Sequence, residues 1–263
     1  MKTYSEITLT VSDLIATLSI NRPKARNALN RTTINELTLA FNALSQDPDI
    51  RCIILRGSGD EAFCAGADLD DLRNNPSPEA RRDLFQSIAT LITSIEACKQ
   101  PVIALVYGYA LAGGLGLVAA ADIVIAANDS VFGLPEVLVG LSALVVAAPL
   151  SKRIAPRGLS YLALTGERIS AQSALDFGLV TEVTPKEAAL ERALGIAKKI
   201  SLRGPQAVSA AKAGIDYALT HRATDTIFEL ADRSAIVSLG DEASEGIAAF
   251  KEKREPYWKG GKR

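Results

Sequence analysis

Three short stretches of this sequence carry residue types suited to one kind of chemistry. Two bear glycines, AFCAGADL at 62–69 and GYALAGGLGL at 108–117. In each, glycines and small residues stand immediately before a helix start, where free backbone N–H groups point outward and attract negative charge. Two such groups converging on one point would make an oxyanion hole; for either loop alone, glycines that merely let helices pack tightly are the alternative. The third stretch, FGLPEVLVGL at 132–141, sets Glu136 among apolar neighbours. These surroundings would bury the carboxylate and raise its pKa toward values useful to a general base, whereas an exposed loop carboxylate is the plainer alternative.

Other chemistries fit less well. GSGDEA at 57–62 has the form G-x-G-x-x-A of a dinucleotide-binding turn, but FCAGAD follows it, and Gly66 breaks the helix such a turn must open. It is read as a plain turn. GYALAGG lacks the Gly-Lys-Ser/Thr ending of a phosphate loop. With one histidine, His221, and no cysteine pair at ligand spacing, no metal site is expected. Cys52, Cys64 and Cys98 are odd in number, widely spaced and set in apolar surroundings, which argues against a disulfide framework and for a reducing compartment. Cys64 has no identifiable histidine partner and is read as a small buried residue rather than a nucleophile. Asp68, Asp70 and Asp71 are carboxylates close to the first loop, read as a helix N-cap and first-turn acids.

The elements that must position these loops follow from the pattern around them. Residues 4–11 and 14–20 are β-rich runs separated by Ser12-Asp13 and read as a hairpin. From about Thr32, Ile34, Leu37, Phe41 and Leu44 recur at helical spacing. CIILR at 52–56 is a short buried strand; Ser77-Pro78 then opens a helix with Leu84, Phe85, Ile88, Leu91, Ile92 and Ile95 on one face. VIALVYG at 102–108 and DIVIA at 122–126 are strands, with the second glycine loop and a short helix between them. Ser170 caps a two-turn helix ending at Gly178, and a strand is expected from Leu179. After Pro185 the pattern is helical almost throughout. The expected organisation is an α/β core over residues 1–200, built from repeated β, β, α units, and a helical C-terminal region over 201–263.

At 263 residues and 48% apolar composition the chain has the make-up of an ordinary globular protein. Its 29 basic and 30 acidic side chains nearly cancel, so no general attraction to nucleic acid or anionic lipid is expected. The N-terminal MKTYSEITLTVSD has no apolar h-region and no apolar run reaches bilayer length, so a cytoplasmic protein with no membrane partner is expected.

In their order and spacing, AFCAGADL, GYALAGGLGL, FGLPEVLVGL and TGERISAQSALDFGLV resemble the enoyl-CoA hydratase/isomerase family, also called the crotonase family. The resemblance runs from NRPKARNAL to EGIAAFKEKR, nearly the whole chain. It implies a crotonase-like ββα spiral, a helical C-terminal trimerisation region, an acyl-CoA thioester substrate, no cofactor beyond the CoA moiety of that substrate, and a homotrimer or dimer of trimers. It places oxyanion-hole N–H groups on Ala67 and Gly113, Lys24 and Arg26 where the CoA pantetheine and nucleotide are held, and Phe250 and Lys253 at C-terminal positions that meet CoA, often that of a neighbouring subunit. The basic tail KEKREPYWKGGKR suits a 3′-phosphate, with a solvated tail as the alternative.

The chain departs from the family pattern at one position of consequence. Hydratases of the family typically use two glutamates; Glu136 matches one, while the other position is Gly116. A single carboxylate suits a proton shuttle from the α-carbon to the γ-carbon across an enolate, which is isomerisation of a 3-enoyl-CoA to a 2-enoyl-CoA. Hydration of a 2-enoyl-CoA is the alternative reaction, and a non-catalytic acyl-CoA or RNA-binding trimer is the alternative of another class. The loop GLSALVVAAPL before and through Pro149 also replaces the glycine-rich form common in hydratases.

Overall fold

The chain contains strands of five or six residues and strands of three, and over residues 52–133 the two kinds alternate between two sheets. In the computed structural model, which describes residues 4–260, the long strands are β1 (Ile7–Ser12), β2 (Ile15–Ile20), β3 (Cys52–Gly57), β5 (Val102–Val106) and β7 (Ile123–Ala127). They join β10 (Glu182–Thr184) in a six-stranded sheet of order β1-β2-β3-β5-β7-β10, parallel except for the β1-β2 hairpin. All five residues of β5 are buried, as expected of a parallel strand covered on both faces. The short strands β4 (Ala62–Cys64), β6 (Tyr109–Leu111), β8 (Val131–Gly133) and β9 (Arg168–Ser170) form a second sheet in that order.

After the β1-β2 hairpin, β3, β5 and β7 are each followed by a short strand and then by helix, a spiral of ββα units. The helices are α1 (Arg31–Gln46), α2 (Leu69–Asn74), α3 (Pro78–Glu96), α4 (Gly113–Ala120), α5 (Leu144–Ser151), α6 (Pro156–Thr165) and α7 (Ala171–Asp176). Asn30, Ser77 and Ser170 cap α1, α3 and α7 through their side-chain oxygens. The GSGDEA segment is the turn between β3 and β4, with Gly59 at φ +77° and no helix after it, as the plain-turn reading expected. Strand β10 begins at Glu182 rather than Leu179. The reason is local: the N–H groups of Leu179 and Val180 both close the end of α7 by donating to Ala174 O, and cannot enter a ladder.

Four helices follow: α8 (Ala189–Ser201), α9 (Pro205–Thr220), α10 (Ala223–Ser238) and α11 (Asp241–Glu252). Ala189, Ala193 and Ala197 let α8 lie close against β3, β5 and β7. α9 is held to the core by Lys212, whose Nζ lies 2.8 Å from Asp122 Oδ2 and 3.1 Å from Gln100 O, while Asp122 Oδ2 also accepts from Val102 N at 2.8 Å. By contrast Ile227, Phe228, Ile236, Leu239, Ile247 and Phe250 on α10 and α11 are exposed. Among the described residues no helix is long and apolar enough to cross a membrane.

The Lys212 side chain is only 11% exposed, so removing it strands the Asp122 carboxylate in a poorly hydrated place. Lys212→Ala is expected to lower unfolding stability by about 1–3 kcal/mol, less than for a fully buried pair because Asp122 keeps some solvent. Urea denaturation with limited proteolysis of α9 reads this out, and an unchanged midpoint would show that the pair does not anchor the helix.

Candidate active site

The first glycine loop leaves β4 at Cys64 and is fixed by backbone bonds on either side of Ala67. Leu29 N donates to Gly66 O at 2.8 Å, Asp68 N donates to Leu29 O at 3.0 Å, and Ala65 N donates to Arg26 O at 3.1 Å. Gly66 adopts φ +97°, which turns the chain so that the Ala67 N–H has no acceptor among the described residues. Asp68 caps α2 by accepting from Asp70 N at 3.1 Å and pairs with Arg22 Nη1 at 2.9 Å; Asp71 accepts from Arg31 N and from Asn75. The acids near this loop therefore serve the helix start.

The second loop leaves β6 through Ala112, whose φ of 51° and ψ of −124° are unusual for a residue with a Cβ. This orientation makes Gly113 the first helical residue of α4, and its N–H likewise has no acceptor among the described residues. The two loops touch. A Cβ built on Gly113 would lie 3.7 Å from Ala67 N, and one on Gly114 would overlap the Cys64 carbonyl. Two unpaired N–H groups thus open on one place from two elements, the arrangement that holds an anionic oxygen.

Glu136 enters from a third element, the 3-10 turn Pro135–Val139 that follows β8. Its carboxylate is half-buried, and Oε2 is buried with no hydrogen-bond partner. Burial raises the Glu136 pKa above the usual carboxylate value, partly offset by its own backbone N–H. A cavity of about 280 Å³ brings Glu136, Ala67 and Gly113 together. Its walls are otherwise apolar, including Leu72, Phe85, Ile88, Val145 and Val146, with Ser142 and Arg168 as further polar side chains. Arg168 is paired opposite Gly133 in the second sheet, and its guanidinium lies 5.6 Å from the Tyr109 ring centroid.

Gly116 faces away from solvent into packed side chains. A Cβ there would lie 2.6 Å from Val146 Cγ1 and 3.1 Å from Ile92 Cδ1, so Val146 fills the space of any side chain at 116. Sequence reading missed Val146, because nothing in the run SALVVAAP marks one valine as facing a glycine thirty residues earlier. Cys64 is fully buried, its thiol pushed up to about 12 by that burial, in keeping with a packed residue and not a nucleophile. Lys24, Arg26, Phe250 and Lys253 do not line this cavity within the single chain. Lys24 and Arg26 lie in and just after the 3-10 turn Pro23–Ala25, where Arg26 Nε pairs with Glu61 at 3.0 Å. Phe250, 86% exposed, and Lys253, the left-handed cap of α11, lie at the chain's far end.

The family model described as enoyl-CoA hydratase/isomerase matches residues 10–261. A crotonyl-CoA hydratase of Syntrophomonas wolfei is 36% identical over 255 residues, covering 96% of this chain and 97% of that one. A 2,3-dehydroadipyl-CoA hydratase of Escherichia coli is 32% identical over 261 residues, covering 97% and 99%. The crystal structure of an enoyl-CoA hydratase of Mycobacterium smegmatis superposes with a TM-score of 0.93 at 32% identity, covering 97% of this chain and 99% of that one.

The unpartnered carboxylate has a consequence for stability. A folded-state pKa raised above the unfolded value means that the group's contribution is fully present below the unfolded pKa and is lost as pH rises through the folded value. Glu136→Gln, which cannot ionise, is therefore expected to melt with the parent protein at acid pH and above it at neutral pH. A lower melting point at neutral pH would mean that the carboxylate has a stabilising partner.

Proposed function

The chain belongs to the enoyl-CoA hydratase/isomerase family, and within that family we propose that it isomerises a 3-enoyl-CoA to the conjugated 2-enoyl-CoA. The observation that carries this reading is a single carboxylate, Glu136, desolvated and unpaired in an otherwise apolar cavity beside two unpaired N–H groups. The thioester oxygen takes the Ala67 and Gly113 N–H bonds as it becomes an enolate, each donor contributing about 3 kcal/mol to the transition state in sites of this kind. Glu136 removes a proton from the α-carbon, the electron pair delocalises to the γ-carbon, and the same carboxyl returns the proton there. Substrate and product have equal mass, and nothing beyond the CoA thioester is consumed.

The CoA end of the substrate needs cations outside this cavity, and Arg168 is the one basic side chain among its lining residues. Lys24 and Arg26 are assigned to CoA on the same chain. Phe250 and Lys253, exposed and absent from the lining of their own cavity, are assigned to the CoA of a neighbouring subunit in a homotrimer. A second reading, hydration of a 2-enoyl-CoA, is favoured by the names of relatives, among them the crotonyl-CoA hydratase. In it Glu136 works on a water molecule instead of shuttling a proton between carbons.

Incubation with a 3-enoyl-CoA, followed by conjugated-thioester absorbance and product mass, separates the two. Isomerisation gives new absorbance at unchanged mass, and a product heavier by one water gives the second reading; silence in both channels overturns each. Glu136→Gln is expected to reduce turnover by about 10²–10⁴-fold. In the parent enzyme activity falls as pH drops through a pKa above the usual carboxylate value, since the ionised base is then lost.

A further inference from the structure

Position 116 carries no side chain, yet its space is not empty. Val146, in the first turn of α5, puts Cγ1 within 2.6 Å of where a Cβ on Gly116 would stand, with Ile92 of α3 packed beside it. Val146 and Ile92 are 3% and 4% exposed, so the packing there is as tight as in the core. A side chain at 116 and the isopropyl group at 146 exclude each other.

Val146 also lines the cavity that holds Glu136, while Gly116 and Ile92 stand behind it and outside the lining. An ordered water needs two to four polar partners. Val146 offers the cavity no polar side-chain atom, and neither do Gly116 and Ile92 packed behind it, so this part of the wall is a dry one. We propose that Val146 is a specificity-determining residue: seated on Gly116, it keeps both water and a second carboxylate off this wall and so confines Glu136 to moving a proton between carbons. The inference rests on reading Glu136 as the base of the cavity. What it adds is that the reaction is set by a hydrophobic side chain, whose removal is required before any polar group at 116 can act.

The hydration this blocks is simple to state. The oxygen of water bonds to the β-carbon of a 2-enoyl thioester while an O–H bond breaks; that proton goes to one carboxylate, and the α-carbon receives a proton from the other as the double bond's electron pair moves toward the thioester. Two carboxyl groups sharing one water perform it, and the structure has room for one.

The test compares Gly116→Glu, Val146→Ala and the double variant in the full-length protein, supplied separately with 2-enoyl-CoA and 3-enoyl-CoA, with product mass and thermal melting as readouts. Gly116→Glu alone is expected to melt far below the parent or fail to fold. The double variant is expected to recover a large part of that loss and to form a product heavier by one water from 2-enoyl-CoA, about tenfold or more faster than the parent. A second cycle covers the case in which no glutamate variant folds: Gly116→Ala should lose roughly 3–10 °C in melting temperature, and adding Val146→Ala should relieve that loss.

If Gly116→Glu is as stable and as fast in hydration as the double variant, or if Val146→Ala does not relieve Gly116→Ala, Val146 blocks nothing and the proposal falls. A double variant that folds well but adds no water reduces Val146 to packing and also overturns it. A parent enzyme inert toward 3-enoyl-CoA overturns the isomerase reading alone, because the hydration comparison and the melting cycles still report on Val146.

Discussion

The contact on which the site depends is backbone against backbone. Gly113 and Gly114 at the start of α4 lie directly on the Cys64–Ala67 segment, so closely that a Cβ on Gly114 would overlap the Cys64 carbonyl and one on Gly66 would lie 2.6 Å from Ala112 Cβ. No side chain can intervene, and so the two N–H groups hold a fixed separation whatever the surrounding side chains do. The arrangement has a cost, since Ala112 is held at a positive φ, worth on the order of 1–3 kcal/mol. It is sustained because every residue of α4 is buried, which fixes the helix that follows the loop.

The carboxylate is brought to the same place by sheet register. β4, β6 and β8 are parallel neighbours, and Leu111 pairs with Gly133, while Ala112 N donates to Gly133 O at 3.0 Å. The segments that continue past their C-terminal ends carry Ala67, Gly113 and Glu136 in turn. This is the general tendency of parallel sheets to form clefts outside the carboxyl ends of their strands, realised with strands only three residues long. The same closeness desolvates Glu136, and that desolvation weakens the ionised fold and raises the carboxylate's affinity for a proton.

How much of this was legible in the sequence depended on whether a feature was local. β3 and β5 were readable because runs of consecutive apolar residues record their burial, and the apolar faces of α1 and α3 because their buried residues recur at helical spacing. Ser170 was readable as a cap, and Ser77-Pro78 as a helix start, because a helix start is marked by residues of its own first turn. The strands β4, β6, β8 and β9 were not, since three residues hold no period. The glycine loops were conspicuous because they meet a backbone constraint that few residue types satisfy. The pairing of Gly116 with Val146 was invisible for the opposite reason: position 116 read as a vacancy, and only the fold brings α5 across α4 to fill it.

The separation of long and short strands also separates stability from chemistry. One face of the six-stranded sheet packs Ile53, Leu55, Val102, Ala104 and Val106 against the main core, and the other packs Ile54, Ile103, Leu105 and Ile125 against the alanines of α8. That double burial gives the large sheet its own packed layers, and Cys64, Leu115, Phe132 and Leu134 from around the second sheet join the main core. Strain at Ala112, a desolvated carboxylate at 136 and two unpaired N–H groups can therefore coexist in a small region, because the sheet that absorbs their cost is a different one. In such a scaffold a change of reaction is limited by packing as well as by chemistry. It requires an exchange among the side chains that wall the cavity, and in this chain the most constrained of them is the valine seated on Gly116.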